Sequence, residues 1–204
     1  MYMFATKRIT AVVAMLAIAL LSISCNNDAD TVLASQQKAI ENYLTGSHNP
    51  RLIEENAESM EDQPQFYTHW ALNVFRYIAT YYDEGRDSKP AISKGTTFDI
   101  KYSAYTFKSS KPKIDDLFAT NDQAKIDELY SGYDDETILS SDPMRVTLGN
   151  GDLVSGLERA LEGCREGDKI EVYLTYEATY GKKYIGMVPS KSAVMWEIEI
   201  LDIL

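Results

Sequence analysis

Alternation of apolar and polar positions is clearest toward the end of the chain. From Lys169 to Tyr176, Ile170, Val172, Leu174 and Tyr176 fall on one side, and Lys169, Glu171, Tyr173 and Thr175 on the other. That period of two predicts a strand with one buried face. Ala193 to Leu204 repeats it with Val194, Trp196, Ile198 and Ile200 in phase, and Met144 to Leu148 is a shorter version. Thr96 to Phe107 sets Phe98, Ile100 and Tyr102 on one face, and aromatic, β-branched Val74 to Tyr82 reads as another strand. Between these runs the period changes once. Over Ser155 to Leu161, Leu157, Ala160 and Leu161 share one side of a short helix, which Gly163 is placed to end. Asn150-Gly151 and Gly167-Asp168 are turn signals. Strand, helix, strand, loop and strand predict an α+β unit, a curved and mainly antiparallel sheet wrapped on the helix at 155–161.

Upstream of the strands the spacing is helical. Thr31 to Leu44 carries Leu33, Ile40 and Leu44 near helical intervals and stops at Gly46. Asn49-Pro50 reads as an N-cap followed by proline in the first turn, opening a second short helix with Ile53, Ala57 and Met60 and closing at Gln63-Pro64. Neither stripe is wide enough to argue a partner, so both helices are expected to pack on the sheet domain. Asp122 to Tyr130, ended by Gly132, predicts a further helix inside the 108–143 interval.

The first 25 residues follow none of these patterns. Lys7 and Arg8 precede an apolar run from Ile9 to Leu21, shorter than the roughly 20 residues a bilayer span needs and suited to a signal-peptide core. Ser22-Ile23-Ser24-Cys25 resembles the processing box of bacterial lipoproteins, in which the cysteine becomes the lipid-bearing first residue; Ser22 stands where Leu is usual. Polar Asn26-Asn27-Asp28 follows at once. The plainer alternative is ordinary signal cleavage with an incidental cysteine. The expected organisation is a signal peptide over 1–24, a tether lipid-anchored at Cys25 over 25–30, a helical extension over 31–71 and the α+β domain over 72–204, with an insertion at 108–143. The implied location is the cell envelope, on a bacterial membrane facing the periplasm or the exterior. With Cys25 lipidated, Cys164 has no partner for an intramolecular disulfide.

Charge removes one class of function. Without Lys7 and Arg8, 18 basic side chains face 31 acidic ones, a net charge of −13, which repels phosphate backbones and argues against nucleic-acid binding. The two histidines, His48 and His69, fall outside the expected domain core, and no Cys/His spacing suits a metal. Ser155 and Ser192 have no base at a recognisable spacing. Asp115-Asp116 and Asp134-Asp135 read as solvated loops.

Leu148 to Glu158 reads LGNGDLVSGLE and Leu161 to Gly167 reads LEGCREG; Tyr180-Gly181 follows in a loop, and Val188-Pro189-Ser190 precedes AVMWEIEI at Ala193 to Ile200. In this order they resemble the LGxxxVIxGxE stretch, the LxGMxxGE turn, the AYG loop and the IPPxxxLxFxVEL ending of the FKBP family, the macrolide-binding peptidyl-prolyl isomerases, with Cys164 where Met is usual. The strand before Asp83-Glu84-Gly85, the loop from Lys89 to Gly95 and the strand ending in tyrosine are similar to the start of such a domain. The resemblance spans about residues 72–204 and is weakest over Lys108 to Pro143. There Leu117-Phe118-Ala119 stands nearest the family's Phe-Asp pair, with Ala119 where Asp is expected.

The resemblance implies an FKBP-like fold, a half-barrel of antiparallel strands around one short helix, here with an N-terminal helical extension. It implies rotation of X–Pro bonds in exported proteins, with proline-containing polypeptides as partners and no cofactor or metal. The implied cavity is lined by Tyr102, Phe118, Met144, Leu153, Val154, Leu157, Tyr180, Met187, Val188 and Trp196. Of these, Tyr102, Val154 and Tyr180 would serve catalysis, with the Val154 N–H and the Tyr180 hydroxyl as donors. Three residues depart from the pattern. Leu157 replaces the Trp of the pocket floor, Trp196 stands where Phe is usual, and Met144 where an aromatic is usual. Apolar contacts of this size are each worth about 1–3 kcal/mol. The alternative function is therefore a non-catalytic, FKBP-like lipoprotein that binds a peptide or protein.

Overall fold

Long runs of alternating side chains need partners for their backbone groups, and the chain supplies them in one mixed sheet. The computed structural model describes residues 28–57, 63–130 and 140–204. The expected signal segment and Cys25 lie outside the described residues, as do Met60 and Gly132. The chain divides into two units, Met1–Ser35 and Gln36–Leu204. Residues 28–35 of the first are helical, so helix begins before Thr31. The second opens with helical residues 36–42, here α1, and a π-helical turn, Tyr43–Ser47. The strands are β1 (Ile53–Glu54), β2 (Phe66–Trp70), β3 (Val74–Ile78), β4 (Thr97–Phe107), β5 (Leu117–Thr120), β6 (Met144–Thr147), β7 (Lys169–Leu174) and β8 (Ala193–Ile203). Helix α2 is Gln123–Leu129 and α3 is Ser155–Leu161.

The sheet runs β1-β2-β3-β7-β8-β4-β5, with β6 also paired to β4. Every pairing is antiparallel except β1 with β2. Strand β4 is the hinge of this arrangement. One edge pairs with β8 along its length, while the other is shared between β6 at Thr97–Ile100 and β5 at Ser103–Tyr105. Asn121 closes the gap between them. Its Oδ1 accepts from Tyr102 N at 2.6 Å and its Nδ2 donates to the Ile100 and Asp142 carbonyls at 3.0 Å each. Buried backbone groups left open by the strand change are thereby satisfied.

Helix α3 lies where the change of period placed it. It buries Gly156, Leu157, Ala160 and Leu161 against the inner face of the sheet, among Val74, Phe98, Ile100, Val172, Val194, Ile198 and Ile200. Arg76 of β3 donates to the Ala160 and Glu162 carbonyls at 2.8 and 2.9 Å, satisfying acceptors at the helix C-terminus, and Gly163 at φ 81° turns the chain away. Cys164 is buried and free, and burial pushes its thiol up to about 11, which makes it a packing residue and not a nucleophile.

The outer face corrects three expectations. Alternation assigned Tyr173 to a polar side, yet it is fully buried. Ile40, Tyr43, Leu44 and Leu52 of the extension cover Phe75, Tyr77, Tyr105, Phe107, Tyr173 and Met195. The Tyr43, Phe107 and Tyr173 rings stand 5.2–5.7 Å apart. The second helix expected from Asn49-Pro50 does not form over 51–57. That peptide bond is cis, and the chain runs on into β1, where Ile53 N and Glu55 N bond the Gln65 and Tyr67 carbonyls of the open edge beside β2. His48, placed outside the core by sequence, is buried at 6% exposure.

His48 fastens this cover to the sheet. Its Nδ1 meets the Pro50 carbonyl at 2.5 Å and its Nε2 meets Glu171 Oε2 at 2.9 Å; with a carbonyl and a carboxylate as acceptors, the protonated ring is the form that donates to both. Burial lowers the His48 pKa, but the bonds to Glu171 and the Pro50 carbonyl outweigh it and hold the value above the ordinary 6.5. Burial likewise opposes ionisation of Glu171, and the bonds from His48 and Tyr173 still hold it below the ordinary 4.5. A raised histidine stabilises the fold fully below 6.5 and loses that contribution as pH rises through its folded value. A lowered carboxylate contributes above 4.5 and loses it as pH falls. Stability from this pair is therefore greatest in mild acid. Burial and Glu171 raise the facing Glu197, and its contribution is lost upward from 4.5, so its window opens below that of His48. Urea unfolding at a series of pH values is expected to show the wild type losing stability above about pH 6.5, with this decline absent in His48→Gln.

Candidate functional site

Four aromatic side chains from four separate segments meet at the end of the inner face. Tyr102 on β4 and Trp196 on β8 are diagonal neighbours, because Ala104 pairs with Trp196 and Tyr102 with Ile198. Their ring centroids are 5.3 Å apart. Phe118 on β5 stands edge-on to Trp196 at 6.1 Å and to Tyr180 at 6.4 Å, the T-shaped geometry aromatic quadrupoles favour. The β4–β5 pairing that puts Phe118 there aligns Ala119 with Ala104. Met144, Leu153 and Val154 are half-buried against the inner-face core that also holds Trp196, and Leu157 and Val188 are fully buried in that core. Met187 does not join them. It is 68% exposed and lines an adjoining cavity of 440 Å³ with Leu117–Thr120, Leu129 and Tyr130.

The donors follow from backbone positions. Val154 is the N-cap of α3 in extended geometry, φ −64°, ψ 147°. Its carbonyl accepts from Leu157 N and Glu158 N at 2.9 and 3.1 Å, while its own N–H has no acceptor among the described residues. Neither the Tyr180 nor the Tyr102 hydroxyl has a hydrogen-bond partner among them. Burial, and for Tyr180 also the nearby Tyr102, raises both hydroxyls above the ordinary phenol range, so both remain protonated donors at neutral pH. The Trp196 Nε1 is buried without a partner among the described residues. Among the described residues no group of three or more His, Cys, Asp and Glu could hold a metal.

The loop carrying Tyr180 is pinned from a distance. After β7 the chain makes a 3₁₀ turn, Tyr176–Ala178. Gln36 Oε1 accepts from Tyr176 N at 2.9 Å, and Gln36 Nε2 donates to the Lys191 carbonyl at 2.7 Å. One side chain of the extension thus holds both ends of the loop. Nothing local in the sequence marks Gln36, since its partners lie 140 and 155 residues away.

Residues 89–201, more than half of the chain, match the family model of the FKBP-type peptidyl-prolyl cis-trans isomerases. The chain belongs to this family. FK506-binding protein 1B of Aspergillus fumigatus is 22% identical over 110 residues, which is 53% of this chain and 79% of the relative. FK506-binding protein 1 of Aspergillus oryzae is 24% identical over 134 residues, 65% of this chain and 99% of the relative. The FK506-binding protein of Neisseria meningitidis is 27% identical over 70 residues, 34% and 64% of the two chains. Among solved structures, the three FKBP domains of wheat FKBP73 align with TM-score 0.48 and 16% identity, over 69% of this chain and 51% of that longer one. In this chain α1 and β1–β3 precede the matched region, while the aromatic site and α2 fall within it.

Proposed function

We propose that this protein catalyses rotation about X–Pro bonds of exported polypeptides from a lipid-anchored position. The observation that carries the reading is the aromatic cluster of Tyr102, Phe118, Tyr180 and Trp196, together with a Val154 N–H that is unpaired among the described residues on a residue packed against the same core. Amide resonance sets a barrier of about 18–20 kcal/mol and places charge on the planar amide that water solvates better than an apolar wall does. Twisting the bond removes that charge separation, so an apolar site favours the twisted amide over the planar one. Val154 N–H and Tyr180 O–H would hold substrate carbonyls while the proline ring lies against the aromatics, and no proton moves.

Tyr180→Phe keeps the ring and deletes one hydrogen bond, worth about 0.5–1.5 kcal/mol. In a proline-peptide isomerisation assay kcat/KM is expected to fall up to about tenfold with the fold intact. Leu157→Trp paired with Trp196→Phe restores the family's floor without overpacking it, and is expected to raise activity. No acceleration over solvent by the wild type or by this folded double variant would sink the catalytic reading.

One observation favours the second reading, a non-catalytic binding module. Trp196 is only 7% exposed and its ring lies against both Tyr102 and Phe118, which leaves little of it to receive a proline. Peptide binding without acceleration would select it.

The anchoring part of the proposal rests on the Ser22-Ile23-Ser24-Cys25 box. Cys25→Ser is expected to move the protein from the membrane to the soluble fraction on ultracentrifugation. Retention on membranes by that variant would end the lipoprotein reading.

A further inference from the structure

We propose that the cavity between β5, the end of α2 and Met187 is a second, apolar subsite, which takes a large apolar side chain two or three residues from the proline of the bound polypeptide. The proposal rests on the aromatic cluster being the proline site. Phe118 is the wall the two share. Its ring faces Trp196 and Tyr180 at 6.1 and 6.4 Å, neither of which lines the 440 Å³ cavity that Phe118 lines with Leu129, Tyr130 and Met187. A chain crossing the aromatic cluster therefore reaches the cavity one ring further on. An extended chain rises about 3.3 Å per residue and alternates its faces, so the side chain that arrives belongs to the second or third residue from the proline.

The lining decides the chemistry of the occupant. None of the described lining residues is charged, so an acidic or basic side chain would be desolvated against them with no counter-charge. Met187 and Leu129 are exposed at 68% and 38%, and Tyr184 on the loop of Met187 is also 68% exposed. Large apolar side chains left in water beside a binding site mark an interaction surface, and a flexible methionine adapts to occupants of different shape. The far wall is firmly built. Helix α2 is anchored by buried Ile126 and capped by Asp122, whose side chain accepts from Ala124 N at 3.1 Å. The protein thus selects unfolded segments that carry an aromatic or large aliphatic residue near proline, and it discriminates against short or polar proline peptides.

The test uses fluorescently labelled octapeptides with one proline and a single Phe, Ala or Asp placed two or three residues to either side. Binding is read by anisotropy on the wild type and on a Leu129→Ser/Met187→Ser variant, and isomerisation is measured with the same peptides. In at least one placement the Phe peptide is expected to bind the wild type about tenfold more tightly than the Ala peptide, and the ratio is expected to approach one in the variant. Equal binding of Phe and Ala in every placement, or a preference that survives the double substitution, overturns the subsite. Should the double variant unfold by circular dichroism, Met187→Ser alone, at an exposed loop position, carries the comparison. The two readings fail separately. Acceleration without Phe preference removes the subsite and keeps the isomerase. Phe preference that the variant abolishes, without acceleration over solvent, removes the isomerase and keeps the subsite.

Discussion

Asp168→Ala is expected to cost about 3–5 kcal/mol of stability, because it leaves a buried guanidinium with only the exposed Asp87 carboxylate, 3.6 Å away, as counter-charge. Asp168 is 1% exposed and Arg86 is 8% exposed. Arg86 Nε and Nη2 donate to the two carboxylate oxygens at 2.7 and 2.8 Å, and Arg165 N donates to Oδ2 at 2.8 Å. The planar fork and the carboxylate match in both bonds, which gives the pair specificity as well as strength. Its place in the fold sets its leverage. Arg86 opens the 3₁₀ turn Arg86–Ser88 after β3, and Asp168 sits in the turn that starts β7. The pair therefore holds the connection into β4 against the turn that follows α3. For a chain of this size the loss corresponds to a fall in Tm of roughly 6–20 °C. Thermal unfolding of Asp168→Ala measures it. The double replacement Arg86→Met/Asp168→Leu removes both charges and is expected to recover most of the loss. A double variant as unstable as the single one would show that the turn backbone, and not the uncompensated charge, sets the cost.

The parts of the fold that could be read from sequence are those whose signal is local and repeated. Strands β4, β7 and β8 each carry several in-phase apolar residues, and α3 lies between two glycine turns, so period alone placed them within two residues. Phe118 was legible only by resemblance. The β4–β5 register, with Ala104 opposite Ala119, gives the physical reason it stands at the site. What could not be read was the second buried face. Alternation says that two faces differ, not whether another segment covers the more polar one. A signal was present: Phe75, Tyr77, Tyr105, Phe107, Tyr173 and Met195 recur on the face opposite the main core in four strands, more apolar surface than water would tolerate. Asn49-Pro50 shows the converse failure. The dipeptide suits the start of a helix or a turn, and what decided was the open edge of β2, a tertiary fact. His48 and Gln36 were invisible for the same reason, since each acts on partners more than a hundred residues away.

Gly156→Ala is expected to damage stability and activity together, because it presses on both halves of the site at once. A methyl at Gly156 would lie 2.6 Å from the Ala178 carbonyl oxygen, 2.8 Å from Leu174 Cδ2 and 2.9 Å from Ala178 Cβ. All three distances are far inside van der Waals contact, and the nearest atom belongs to backbone, which cannot rotate away. Gly156 follows Val154 by two residues at the start of α3, and Ala178 precedes Tyr180 by two residues in the loop pinned by Gln36. Relief of the clash must push the helix start and this loop apart, which separates the Val154 N–H from the Tyr180 hydroxyl. Overpacking of this kind costs about 1–3 kcal/mol, and a displacement near 1 Å in a positioned site can cost about a hundredfold in rate. In the isomerase reading, Gly156→Ala therefore reduces kcat/KM more than Tyr180→Phe does, although it removes no group that touches substrate. Guanidinium unfolding and the proline-peptide assay on the same preparation check both effects. A variant that is destabilised yet turns over as well as wild type would show that the spacing of these two donors does not matter to rotation, and would leave the aromatic wall as the whole of the site.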